Sequence, residues 1–166
     1  ANHNQPHYVY LAQTSGIKVG ITRSVQMPSR WIDQGAWRAS VIARVPYRQM
    51  AGAIEVELKQ YLTDRTDWRK MLTDERDEDD LEKTCLQLVS FLPSQYAEYA
   101  KDSCEIVELK YPVLEYPKKV KSLQLEERKT IEAVLTGIRG QYLYFAGNRV
   151  INMRKYSGYE VTAGPV

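Results

Sequence analysis

Two short apolar runs, Tyr8-Val9-Tyr10-Leu11-Ala12 and Lys18-Val19-Gly20-Ile21-Thr22, stand near the start of the chain. They are joined by Gln13-Thr14-Ser15-Gly16 and Ile17. Side chains alternate across a strand, so the first run sends Tyr8, Tyr10 and Ala12 to one face and Val9 and Leu11 to the other. The intervening Gln-Thr-Ser-Gly stretch is turn chemistry, and the pair reads as a β-hairpin. A chain that begins this way is committed to a sheet, and its later segments must cover that sheet.

Ser24-Val25-Gln26-Met27-Pro28 interrupts the pattern. Pro28 suits the first turn of a short helix reaching Gln34, with Gly35 ending it. Residues 41–47 read as a third strand stopped at Pro46. Residues 50–62 carry the strongest helix signal of the first half, with Ile54, Leu58, Tyr61 and Leu62 forming an apolar stripe. Residues 64–72 predict a further helical turn or two carrying Trp68. The acidic run 74–80 leads into a helix that ends at Pro93, and acidic residues favour a helix N-terminus.

From about residue 104 the pattern becomes strand-like, over 106–109, 120–123, 131–138, 142–145, 150–153 and 159–162. Turn signals at Gly137, Gly140, Gly147-Asn148 and Gly158 separate several of these runs. The expectation is an α+β protein: a three-stranded antiparallel sheet with flanking helices over residues 1–72, a helical connector over 73–103, and a small antiparallel β domain over 104–166, curled into a partly closed barrel.

With 166 residues, a net charge of +2 and no apolar run near the roughly 20 residues that span a bilayer, no membrane-spanning helix and no membrane partner are expected. So small a net charge means that any nucleic-acid face must come from uneven placement of the 23 Lys and Arg. Cys85 and Cys104 have no partners at metal-ligand spacing, and without a signal peptide they read as two reduced thiols of a cytoplasmic protein. The chain starts at Ala1 rather than Met, which suggests processing or a piece of something longer.

The hairpin, Arg30 and Glu55 together resemble the GIY-YIG nuclease superfamily. Val9-Tyr10 stands where that family has Ile-Tyr, Lys18-Val19-Gly20 where it has Tyr-Ile-Gly, Arg30 matches the arginine of its first helix, and Glu55 followed by Leu58 matches its glutamate helix. The Lys-Val-Gly-Ile-Thr form, with Ser29-Arg30-Trp31-Ile32-Asp33-Gln34-Gly35-Ala36 and the tail Thr136-Gly137-Ile138-Arg139-Gly140-Gln141-Tyr142-Leu143, resembles a bacterial and archaeal family of unknown function whose longer members carry a cysteine-bearing segment upstream.

The resemblance implies a metal-dependent endonuclease acting on DNA or RNA. Glu55 would bind Mg²⁺ or Mn²⁺, which keeps most of its shell for water and phosphate. Arg30 would fork onto phosphate, and Tyr10 and Lys18 would orient or deprotonate the attacking water. Arg23, Arg30 and Trp31 are the expected nucleic-acid contacts, Trp31 by stacking, although tryptophans in small domains also serve as core. Two positions depart from the family: Lys18 replaces a tyrosine, and Gln34, which is no base at neutral pH, stands where many members have histidine or tyrosine. Such a pocket can grip phosphate without cutting it, so a non-catalytic nucleic-acid or nucleotide-binding module and a protein–protein adaptor are the alternatives. In the second domain, Lys118, Lys119, Lys121, Arg139, Arg149, Arg154 and Lys155 alternate with Tyr142, Tyr144, Tyr156 and Tyr159, a mixture suited to single strands on a curled sheet.

Overall fold

The hairpin forms with the expected faces, and each face acquires its own cover. In the computed structural model, which describes residues 4–63, 66–127, 130–162 and 164, β1 (His7–Gln13) lies between β2 (Ile17–Arg23) and β3 (Arg38–Val45). Both pairings are antiparallel, with Tyr10 opposite Gly20 and Ala12 opposite Lys18. Val9 and Leu11 join Ile17, Val19, Ile42 and Val45 in a core closed by α2 (Arg48–Lys59) and α4 (Leu81–Ser90). On the other face Tyr10 and Ala12 pack with Ala36, Ala39 and Trp31, the last from α1 (Ser29–Asp33). A sheet buried on both sides requires strands apolar on both faces, and β1 is one.

The sheet has four strands rather than three. β4 (Val107–Glu108) pairs antiparallel with Ala39 and Arg38, so a segment expected in the second domain completes the first sheet. The third strand also starts earlier than its apolar run, at Arg38. Helix α2 ends before Tyr61, which leaves the expected stripe and stacks on Phe91 at 4.5 Å between ring centroids. Ala51 takes its place on the buried side.

Cys85 and Cys104 are not free thiols: they form a disulfide. Cys85 faces inward from α4, and the segment through Cys104 and Ile106 packs on the same core on its way to β4. Burial on one core brings the two Cα atoms to 6.0 Å, within bridging reach. Asp80 caps α4 by accepting from the Lys83 backbone N–H at 3.1 Å, which gives the end of the acidic run its structural task. Earlier in that run, the Asp77 carboxylate accepts from the Gln13 amide at 2.7 Å.

The second half forms a sheet of order β5-β8-β7-β6, from β5 (Lys121–Ser122), β6 (Leu135–Arg139), β7 (Tyr142–Phe145) and β8 (Arg149–Asn152). β6, β7 and β8 are an antiparallel meander, but β5 runs parallel to β8, so the domain is not wholly antiparallel and is an open sheet rather than a barrel. Residues 159–162 form no strand. The inner face, with Tyr142, Tyr144 and Val150, packs on Met71 and Leu72 of α3 (Trp68–Leu72). The expected helix over 64–72 is thus shorter, and its first two positions lie outside the described residues.

Arg139, expected among the surface cations of this sheet, is 1% exposed. Its guanidinium donates to the Gly35 carbonyl at 3.0 Å and to the Asp74 carboxylate at 2.6 Å, with the rings of Tyr111 and Tyr116 at 5.2 and 5.7 Å. The backbones meet closely here. A Cβ on Gly140, whose φ is +58°, would fall 2.8 Å from the Asp33 carbonyl oxygen. Among the described residues no helix is long and apolar enough to cross a membrane.

Candidate functional site

The site is built outward from a cross-strand pair. Tyr10 on β1 lies opposite Gly20 on β2, and its phenol crosses the glycine so closely that an added Cβ would stand 2.6 Å from the hydroxyl oxygen. The glycine of the second run is therefore a steric requirement of the tyrosine. Gln34, just past α1, donates its amide N–H to the Tyr10 oxygen at 2.9 Å, and Trp31 meets the ring edge-on at 6.1 Å.

Burial pushes the Tyr10 pKa up, Arg30 and Gln34 beside the oxygen pull it down, and the Glu55 carboxylate adds a smaller upward push. Tyr10, Arg30, Gln34 and Glu55 therefore share one electrostatic neighbourhood, although they come from a strand, a helix and its end, and a second helix. The net upward shift keeps the phenol protonated at neutral pH. Tyr10 is suited to hold and donate a proton, and not to remove one from water.

Beside this group opens a cavity of about 480 Å³ lined by Arg23 at the end of β2, Arg30 on α1 and Arg48 at the start of α2, with His7, Ser29 and Asp33 among its other walls. Three arginines against one Asp give the lining a net positive charge, because arginine stays charged at any physiological pH, and its guanidinium is a planar fork. Arg23 and Arg30 are the residues expected on such a surface. Arg48 is an addition, and its sequence signal is faint: a cation at the first helical position after Pro46-Tyr47.

Glu55 lies on the adjoining cavity, of about 650 Å³, which shares Ile21 and Arg48 with the first. Its carboxylate is paired with Lys59 one turn on, at 3.0 Å. Among the described residues no group of three His, Cys, Asp or Glu could hold a metal. A lone carboxylate already sharing its charge with Lys59 is a poor cage by itself, but it fits a hard cation that arrives with phosphate and keeps its water.

Lys18 shares the sheet face of Tyr10 and Gly20, opposite Ala12. It lines a third cavity, of about 280 Å³, set between the hairpin, α1, α3 and the second sheet; Arg30 and Asp33 border this cavity and the arginine cavity alike. Trp31 does not belong to the surface. At 5% exposure it packs in the core with Tyr10, Ala12, Ala36 and Ala39, which leaves little of the indole for a base to stack on.

Over residues 1–161 the chain matches a family model described as "Protein of unknown function (DUF2797)". No curated protein and no solved structure matches the chain.

Proposed function

The chain belongs to the DUF2797 family of proteins of unknown function, and we propose that it binds the phosphate backbone of DNA or RNA on a scaffold of GIY-YIG type. The observation that carries this reading is the cavity walled by Arg23, Arg30 and Arg48. A net charge of +2 gives the whole molecule little attraction for a polyanion, so the attraction has to be local, and here three arginines line one concavity. Backbone contacts of this kind position a nucleic acid without reading its sequence. The GIY-YIG reading is supported by Arg30 on the first helix and Glu55 on the next long one, both acting on the Tyr10 phenol.

A second reading, phosphodiester hydrolysis, is favoured by Glu55 lining the cavity that adjoins the arginine cavity through Ile21 and Arg48. Glu55 would hold Mg²⁺ or Mn²⁺ together with a substrate phosphate, and the ion would supply charge stabilisation and a more acidic water. Arg30 would hold a non-bridging oxygen. Tyr10, kept neutral by burial and fixed by Gln34, would orient through its own proton, and Gln34 itself can neither take up nor release one at neutral pH.

The test uses labelled single- and double-stranded DNA and RNA at several salt concentrations, with and without Mg²⁺ or Mn²⁺. Binding is expected to weaken with salt, and Arg23→Ala or Arg48→Ala should each flatten the salt slope by about one. Cleavage that requires the ion and disappears in Glu55→Ala establishes hydrolysis. Binding without cleavage leaves the module. A wild-type protein that binds none of these probes even at low salt overturns both.

A further inference from the structure

The cavity that holds Lys18 is unlike the arginine cavity beside it. One wall is aromatic: Trp68, at the start of α3, lies parallel to Tyr142 of β7, with 2° between ring planes and 6.1 Å between centroids. Trp68 is 38% exposed although it flanks the core of the second sheet. Its indole is held by Tyr142, and the exposed Arg69 guanidinium lies 4.3 Å from the ring centroid. Met71 adds an apolar patch, and the remaining walls are polar, with Gln34 and Gln141, the cations Lys18, Arg30 and Arg154, and the carboxylates Asp33 and Asp67.

Arg30 and Asp33 border both this cavity and the arginine cavity, so a ligand in one abuts a ligand in the other. A nucleotide has that division: a charged phosphate joined to a flat, hydrogen-bonding base. The cavity volume, about 280 Å³, is at the small end for organic ligands, roughly 300 Å³. The Gln141 amide can offer both donor and acceptor to a base edge, and Trp68, 38% exposed, offers aromatic surface. A base paired and stacked inside a duplex cannot enter a recess of this kind; an unpaired one can.

We propose that this cavity seats a single unpaired base against Trp68 while the adjoining phosphate rests among Arg23, Arg30 and Arg48, which makes the preferred ligand single-stranded nucleic acid. The proposal rests on the phosphate-binding reading and adds a base subsite formed by both halves of the chain.

The test measures binding of the full chain to three fluorescein-labelled DNAs of one length: an intact single strand, an abasic single strand and a blunt duplex. Stacking on an aromatic side chain predicts that the intact strand binds about ten-fold tighter than the abasic one. Trp68→Ala should bring the intact strand to the abasic level and leave duplex binding unchanged, while Trp68→Phe keeps most of the preference. Arg23→Ala should weaken all three probes. Equal binding of intact and abasic strands by the wild type, or an undiminished preference in Trp68→Ala, overturns the base subsite while leaving phosphate binding in place. If no probe binds the wild type, the phosphate reading falls as well. The first comparison needs no variant, so a misfolded Trp68→Ala cannot shield the proposal.

Discussion

The phenol of Tyr10 occupies the space where Gly20 has no side chain, 2.6 Å from the position of the missing Cβ. Gly20→Ala must push the tyrosine off Gln34 or force the two strands apart, and overpacking of this kind costs about 1–3 kcal/mol. A Cβ added at Gly52, inside α2, would meet nothing within 4 Å. Gly52→Ala should therefore stabilise, by about 0.5–1 kcal/mol, because it removes only the entropy cost of a helical glycine. Urea denaturation of the two variants should show shifts of opposite sign; a neutral Gly20→Ala would mean that the tyrosine is not held across the strand.

The buried pair of Arg139 and Asp74 should behave as a single unit. Removing one member of a buried pair leaves the other's charge unpaired and costs about 3–5 kcal/mol. Asp74 keeps some exposure, so the lower end of that range is expected for Arg139→Met. Asp74 has φ +57°, a conformation asparagine tolerates, so Asp74→Asn removes the charge without straining the turn. The double variant should lose less than the sum of the singles, a coupling that a denaturant double-mutant cycle reads directly.

The bridge between Cys85 and Cys104 closes a loop of 19 residues in sequence separation. Loop-closure entropy for such a loop is worth about 3 kcal/mol. Thermal melts should show a lower Tm in reductant, and the Cys85→Ala/Cys104→Ala variant should melt at the reduced value in either condition. A melt indifferent to reductant would count against the bridge, as would two alkylatable thiols under non-reducing conditions.

Stability should fall at high pH. Burial raises the pKa of Tyr10, Tyr111, Tyr116 and Tyr144. A phenol whose folded pKa lies above its unfolded one stabilises fully below the unfolded value of about 10, and that contribution is lost as pH climbs through the folded value. Tyrosinate absorbance on alkaline titration should lag behind that of the urea-unfolded chain and then rise together with loss of secondary structure. Titration superimposable on the unfolded chain would contradict this.

The part of the fold that is legible in the sequence is local. The opposite faces of Tyr10 and Leu11 follow from alternation alone, and the end of α1 at Gly35 from its positive φ. The remainder depends on distant partners. Nothing around Val107 says that its neighbour will be Ala39, and a separation of 19 residues carries no instruction that Cys85 will meet Cys104. Arg139 defies its sequence pattern because arginine is ordinarily a surface residue, and its burial is possible only with a carboxylate, a carbonyl and two aromatic rings assembled from elsewhere. Trp31 and Trp68 look alike in sequence, yet one is 5% exposed in the core of the first sheet and the other 38% exposed beside the second. At the site, Arg30 and Glu55 stand out in the sequence only through the resemblance, whereas Arg48 needs the turn before α2 to bring it beside Arg23 and Arg30.

Met71 and Leu72 lie on a helix encoded before residue 73, yet their side chains fill the core beneath Tyr142 and Tyr144. A gene cut between the two halves would deliver one fragment with a naked apolar ridge and another with a hollow sheet. The chain is accordingly not a cassette that recombination could lend out piecemeal: the second sheet can be inherited only together with the helix that fills it.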